Sequence, residues 1–335
     1  MANTFDPKMS KPQKCESECK AIHESSGGLT AAVRALSTRA TAVQRREIKD
    51  SYKAIYGEEL ISHLHKLKLK FSNNNNKNNN EGVKYMVKTC EGLILWMEES
   101  WERDAWFAKE AIEKNDEANY MVLVEMFVGR KSSHVIMIKQ AYQSRFLRLL
   151  DQDIVHLEPP HPYQRILVAL STSHKAHHED VSQDIAKCDA MRLYQTGEGT
   201  SSSINEAVVL ELLCKRSIPQ LKLTFSSYNH IYGHSYTKQL KKIHSTQFED
   251  AFRNVVECIQ DPPKYYAKML QKSMKGGETS RGSLTRLMVS RAEVDMGDIQ
   301  KAYKKKYGVE LKDTITQVIP SGVYRDFLLT LANNA

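Results

Sequence analysis

The sequence has little of what builds sheets, staples small domains or spans membranes. Proline occurs nine times in 335 residues and aromatics make up 8%. Lys, Glu, Leu and Ala are plentiful, a balance that favours helices. The six cysteines, Cys15, Cys19, Cys90, Cys188, Cys214 and Cys258, include no Cys-x-x-Cys pair. They read as free thiols in a reducing compartment rather than as a disulfide framework. No apolar run approaches the ~20 residues of a membrane-spanning helix. Residues 1–14 are polar, hold two prolines and lack the apolar core of a signal peptide. The expectation is a cytoplasmic protein whose membrane contacts are peripheral. Also missing are a phosphate-cradling Gly-x-x-x-x-Gly-Lys, a catalytic triad, zinc-ligand spacing, and paired carboxylates that stand out from helix-surface charge. The chain therefore reads as a binding protein and not an enzyme.

What the chain does have is length, charge and repetition. At 335 residues it is long enough to bury a large core and to hold more than one average domain. A net charge of +8 and a pI near 9.0 favour anionic partners, nucleic acid or acidic lipid, or else describe a solvated basic surface. An Arg closes an apolar helical pattern four times, at Arg39, Arg130, Arg216 and Arg291, spaced 91, 86 and 75 residues apart. An aromatic follows each by 12 or 13 residues (Tyr52, Tyr142, Tyr228, Tyr303), and a second comes four residues later (Tyr56, Phe146, Tyr232, Tyr307). Gly57, Gly233 and Gly308 stand next, with Leu147 in that place in the second copy. Three markers in register four times define an internal repeat.

Each copy resolves into helices. Before the third Arg, Val208, Val209, Leu212 and Leu213 form one apolar face, Val122, Leu123, Met126 and Phe127 form it in the second copy, and the first copy is weak. The helix after the first Arg is expected to bury Ile48, Tyr52, Ile55 and Tyr56. The Gly after the second aromatic suits a left-handed helix C-cap. With a helix before each loop (103–113, 185–195, 264–274) and a closing helix from near Tyr163, Phe248 and Tyr324, each copy holds five helices. The expected organisation is a tail over 1–14, copies over 15–99, 100–171, 185–260 and 261–335, and a linker over 172–184. The linker is polar and rich in His (His174, His177, His178) and is expected to join two halves of the molecule. An Asn-rich insertion near 72–82 is expected to be a disordered surface loop.

Four copies of a five-helix unit resemble the annexin family. Several strings are similar to its plant members: Trp-Glu-Arg-Asp-Ala105, Val-Ser-Arg-Ala-Glu-Val-Asp-Met296, Ala-Tyr-Lys-Lys-Lys-Tyr-Gly308 and Ser-Gly-Val-Tyr-Arg-Asp-Phe-Leu-Leu329. The resemblance runs from about residue 15 to the end. It implies an all-α fold of four annexin-type repeats forming a slightly curved disc, with the loops before each second helix on a convex, membrane-facing side. It also implies calcium-dependent attachment to acidic phospholipid. In the family, a Met-Lys-Gly-x-Gly-Thr loop offers carbonyl oxygens and a later carboxylate closes the site, toward the 6–8 oxygens that calcium takes.

In the fourth copy the resemblance maps this loop onto 274–279. Met274, Gly276 and Glu278 stand at the carbonyl positions, Glu278 where a second Gly is expected, and Val318 or Ile319 at the closing position. In the first copy the loop is Glu24, Ser25, Ser26 and Gly27, closed at Leu67. In the second it is Asn115, Asp116, Glu117 and Ala118, closed at Leu157 or Glu158. In the third, register selects Ser201, Ser202, Ser203 and Ile204, closed near Ile243, and the string Gly-Glu-Gly-Thr200 lies out of register. No copy has a complete set, so calcium is expected to bind weakly if at all. Two activities proposed for plant members also lose residues here. The peroxidase-linked His position holds Thr38, and the redox cysteine pair keeps Cys258 but has Val128 or Gly129 for its partner.

Lysines are the remaining means of attraction to an acidic phospholipid surface, each worth about 1 kcal/mol near the membrane. The candidates are Lys66, Lys68 and Lys70. His63 and His65 beside them are expected to gain charge in mild acid and strengthen binding near pH 5–6. The alternative is a non-catalytic repeat scaffold that binds protein partners. No aromatics are arranged for stacking bases, so no specific nucleic-acid partner is expected.

Overall fold

The computed structural model describes residues 11–24, 28–78, 81–171, 181–199, 203–242, 246–276 and 281–334. Among them are twenty helices and no strand. The helices fall into four sets of five. The first set is α1 (Lys11–His23), α2 (Gly28–Ser37), α3 (Ala42–Tyr56), α4 (Leu60–Asn78) and α5 (Glu81–Met97). The second is α6 (Ser100–Lys114), α7 (Glu117–Gly129), α8 (Ser132–Phe146), α9 (Leu150–Val155) and α10 (Pro162–Ser171). The third is α11 (Gln183–Gln195), α12 (Glu206–Lys215), α13 (Ile218–Tyr232), α14 (Tyr236–Leu240) and α15 (Gln247–Gln260). The fourth is α16 (Pro262–Lys275), α17 (Arg281–Arg291), α18 (Met296–Tyr307), α19 (Leu311–Val318) and α20 (Val323–Asn333). No helix is long and apolar enough to cross a membrane among the described residues.

The repeated sequence markers become repeated geometry. The paired aromatics lie on one helix face at i and i+4, and their rings meet at 4.9, 5.0, 4.8 and 4.8 Å between centroids in the four copies. The residue after each pair takes the left-handed conformation, with φ of 66°, 73° and 75° at Gly57, Gly233 and Gly308. Its N–H donates to the carbonyl four residues back, which closes the helix. In the second copy Leu147 does the same with φ 54° and is 89% exposed. A Cβ in this region costs roughly 1–2 kcal/mol, and nothing is gained by packing the side chain. Leu147→Gly is therefore expected to stabilise the protein by about 0.5–1 kcal/mol after the added freedom of the unfolded chain is counted. A rise in the Tm of the 100–265 unit checks this.

Each Arg marker also has a structural role. Arg130 pairs with Asp104 through two bonds of 2.7 and 3.1 Å, and Arg216 with Asp189 at 2.7 and 2.9 Å. Arg39 meets Glu18 at 2.5 Å. The fourth copy has Tyr266 on its first helix, with the Arg291 guanidinium 4.2 Å over the ring and Asp295 supplying the carboxylate from one turn away.

The chain divides into two compact units, one of residues 1–99 and 266–335, the other of 100–265. In the first, α2 and α5 pack against α20, and the Phe327 ring lies so close to Gly92 that a Cβ there would stand 2.4 Å from it. Asn334 donates to the Ser37 carbonyl at 2.6 Å, and Arg45 pairs with Glu293. The first and fourth copies thus share one core. In the second unit, α10 packs against α7, α12 and α15, and Asn254 donates to the Tyr163 hydroxyl at 2.9 Å.

Three sequence expectations are corrected. The Asn-rich stretch is helical through Asn78 rather than a loop, with Asn79 and Asn80 outside the described residues. Helix α4 is already nucleated by Leu60, Leu64 and Leu67, all buried, and each residue added to an existing helix gains one backbone hydrogen bond. The segment expected to join two halves of the molecule has both its flanks in one unit, because the second and third copies pack together. Of that segment, 172–180 lie outside the described residues. Ile55 is 45% exposed and Tyr56 half-buried rather than buried, and the inward face of α3 is filled by Arg45, Ile48 and Tyr52.

Candidate functional site

The loop assigned to the fourth copy is described in part. Met274 lies in the last turn of α16 with its side chain buried, and Gly276 is exposed, its N–H donating to the Lys272 carbonyl at 3.0 Å. Glu278 lies outside the described residues. Of the two candidates for the closing position, Val318 ends α19 and is exposed, and Ile319 caps that helix and is buried. In the first copy Leu67 is buried in α4. Hydrocarbon cannot ligate a hard cation, so these closing positions offer calcium no ligand.

The second-copy loop is described in full. Asn115 has φ 51°, and its amide nitrogen donates to the Glu158 carbonyl at 2.6 Å while its oxygen accepts from the Tyr120 hydroxyl at 2.6 Å. Asp116 caps α7 by accepting from the Asn119 N–H at 2.9 Å. Asn115 thus ties the loop to the segment where the closing acid is sought. Glu158 is exposed there, one carboxylate where tight calcium sites gather several charged oxygens.

In the third copy the out-of-register string turns its acid inward. One Glu198 oxygen accepts from the Tyr228 hydroxyl and faces the His234 Nε2, both at 2.9 Å. Burial and the neighbouring Glu198 push the Tyr228 hydroxyl well above its ordinary pKa, so it stays a donor. Residues 200–202 and 243–245 of this copy lie outside the described residues. Across the chain, no group of three His, Cys, Asp or Glu could hold a metal ion among the described residues.

The candidate lysines stand along α4. Lys66 meets Glu58 at 2.6 Å, Lys68 meets Glu91 at 3.0 Å, and Lys70 is exposed. Hydrogen bonding to Lys66 holds the Glu58 carboxyl below its ordinary range. Surface pairs of this kind are worth about 0–1 kcal/mol, so an anionic partner can exchange for them readily. Lys88 on α5 also reaches Glu91, at 3.3 Å, and lies 3.8 Å from where a Cβ of Gly282 would stand. That contact joins the lysine-bearing α4–α5 pair to the first turn of α17, just past the fourth-copy loop. The sequence did not reveal this adjacency, because the residues are nearly two hundred positions apart.

The proposed charging of His63 is corrected. Its ring packs 5.3 Å from His23 and 5.5 Å from Tyr52, and His23 stacks on Tyr56 at 3.9 Å. Burial first, and the charge of His23 second, push the His63 pKa down. His65 alone of the two is exposed. The folded state thus prefers neutral His63. Its contribution is complete above the unfolded pKa near 6.5 and is lost as pH falls below that value. The Tm is expected to drop between pH 7.5 and 5.5, and His63→Phe is expected to flatten that slope. An unchanged slope in the variant would assign the drop to other groups. Burial also pushes the Cys19 and Cys90 thiols up to about 12, so neither is a thiolate nucleophile at neutral pH.

The Annexin family profile matches residues 189–255 and 265–331. The chain is similar to annexin A13 of Homo sapiens, 31% identical over 95% of this chain and 93% of that protein. It is also similar to annexin-like protein RJ4 of Fragaria ananassa, 28% identical over 87% of this chain and 85% of that one. Among solved structures, annexin III superposes with a TM-score of 0.77 at 29% identity, covering 98% of this chain and 95% of that chain.

Proposed function

The chain belongs to the annexin family, and from that premise we propose that it is a cytoplasmic, peripheral membrane protein that binds acidic phospholipid with little help from calcium. Family membership supports lipid attachment, and the activity at family level is calcium-dependent. The departure rests on one observation: hydrocarbon, Leu67 in the first copy and Val318 or Ile319 in the fourth, stands where the family pattern would put a carboxylate. Without that charged ligand a bridging ion is held weakly, and attraction falls to Lys and Arg. Met274 and Gly276 keep the residues of the family loop at two of its carbonyl positions, and Lys66, Lys68 and Lys70 on α4 supply positive charge. The reading is of a binding module, with no catalytic step assigned.

Sedimentation with phosphatidylserine vesicles tests this. The protein is expected to pellet in the presence of a chelator at low salt. It is expected to be released as ionic strength rises and the Debye length shrinks from about 30 Å at 0.01 M to about 8 Å at 0.15 M. Added calcium is expected to change the bound fraction little. Pelleting that requires calcium would overturn the proposal and return the protein to the ordinary family mechanism.

A further inference from the structure

The positive charge of the chain is not shared between its two units. Residues 1–99 and 266–335 hold 28 Lys and Arg against 19 Asp and Glu, a net +9. Residues 100–265 hold 20 against 21, a net −1. The whole surplus of the protein therefore belongs to the unit built from the first and fourth copies. Within it the basic groups recur on several helices. Lys66, Lys68 and Lys70 lie on α4, and Lys301, Lys304, Lys305 and Lys306 on α18. The part of α16 in this unit carries Lys268, Lys272 and Lys275 and no acid. Lys88 on α5 reaches the start of α17, its Nζ 3.8 Å from where a Cβ of Gly282 would stand.

The field of an acidic bilayer decays within a Debye length, about 8 Å at physiological salt. Only charge carried to that distance counts, and a unit whose charges cancel adds no net attraction. We propose that the unit of the first and fourth copies makes the electrostatic contact with an acidic bilayer, and that the 100–265 unit adds no net attraction to it. This deepens the phospholipid reading and rests on it. A bilayer fits this surface better than RNA does. The paired rings of this unit, Tyr52 with Tyr56 and Tyr303 with Tyr307, pack on one another, and Tyr52 and Tyr303 are buried. Of their half-buried partners, Tyr56 is already stacked on His23 at 3.9 Å, so this unit carries no row of exposed rings of the kind unstacked bases need among these pairs.

The test compares two fourfold variants of the full chain. One combines Lys66→Gln, Lys70→Gln, Lys272→Gln and Lys275→Gln. The other combines Lys131→Gln, Lys187→Gln, Lys222→Gln and Lys238→Gln in the second unit, and all eight lysines are exposed. Binding is measured in chelator to vesicles of roughly one-third phosphatidylserine in phosphatidylcholine, with melting curves to confirm that both variants fold. The first variant is expected to bind roughly 100-fold more weakly, and the second within about threefold of wild type. Equal losses, or a larger loss from the second, would overturn this inference and leave the phospholipid function standing. Wild-type protein that stays in the supernatant would overturn both. Preference for single-stranded RNA over vesicles at matched phosphate concentration would overturn the bilayer as occupant.

Discussion

Replacing Asp104 with alanine is expected to destabilise the 100–265 unit by about 3–5 kcal/mol, because it leaves a buried guanidinium without its carboxylate. Asp104 is buried in α6 and holds Arg130 through two bonds, with the His134 Nε2 at 3.3 Å from the same oxygen. Burial by itself would raise this carboxyl. The Arg130 guanidinium, the His134 hydrogen bond and the charge of Arg103 outweigh burial and hold it at about 2. The folded pKa lies below the unfolded value of about 3.9, so the contribution is complete above pH 4 and is lost as pH falls toward 2. The shift alone is worth roughly 2 kcal/mol. Truncation costs more than protonation does, since it also removes the atoms that solvate Arg130. Urea denaturation at pH 7 should show the full loss in Asp104→Ala and a smaller one in Asp104→Asn, which keeps an acceptor. The gap between wild type and Asp104→Ala should narrow as pH is lowered toward 2. Asp295→Ala is the internal control: Arg291 keeps the Tyr266 ring beneath it, so its loss is expected to be about half as large. Equal losses at the two sites would show that the ring gives no compensation.

The same pairs show which parts of the fold could be read from the chain. The Arg, the two aromatics and the Gly recur at fixed offsets within about one helix and one turn, so local periodicity exposes them. Their geometry follows locally as well: an i, i+4 ring contact and a left-handed cap need no distant partner. The partner facing each Arg from another helix lies 21 to 27 residues upstream and changes from the acids Glu18, Asp104 and Asp189 to the Tyr266 ring, with Asp295 supplying the fourth carboxylate. Asp104 stands in the string Trp-Glu-Arg-Asp-Ala105, and its near-equal spacing to that of Asp189 was the available signal. The grouping of the first copy with the fourth was not legible, because order along the chain carries no information about which copies share a core. The Asn run was misread for a related reason: its composition describes an isolated segment, whereas here it extends a helix nucleated by buried leucines. For the candidate site, the sequence shows that the positions the family resemblance assigns to the closing acid hold Leu67 and Val318 or Ile319. The engagement of Lys66 and Lys68 by Glu58 and Glu91 depends on folded geometry.

The second large effect is expected at Trp96, where one side chain joins three parts of the same unit. Its indole is fully buried in α5, its Nε1 donates to the Leu36 carbonyl at 3.1 Å at the end of α2, and the Arg45 guanidinium lies 4.3 Å over its ring. Arg45 is itself buried and pairs with Glu293 of the fourth copy, so the ring supports a cation that links the two copies. Trp96→Ala opens a cavity with no solvent path and removes the ring beneath Arg45, and is expected to cost about 3–5 kcal/mol. Trp96→Phe keeps most of the volume and loses the Nε1 donor. The Leu36 carbonyl still accepts from the Arg39 N–H at 3.2 Å, so this variant is expected to lose only about 1 kcal/mol. Circular dichroism through urea titrations of both variants measures the difference. A loss below about 1 kcal/mol in Trp96→Ala would mean that the site collapses around the missing ring and that Arg45 finds its support elsewhere.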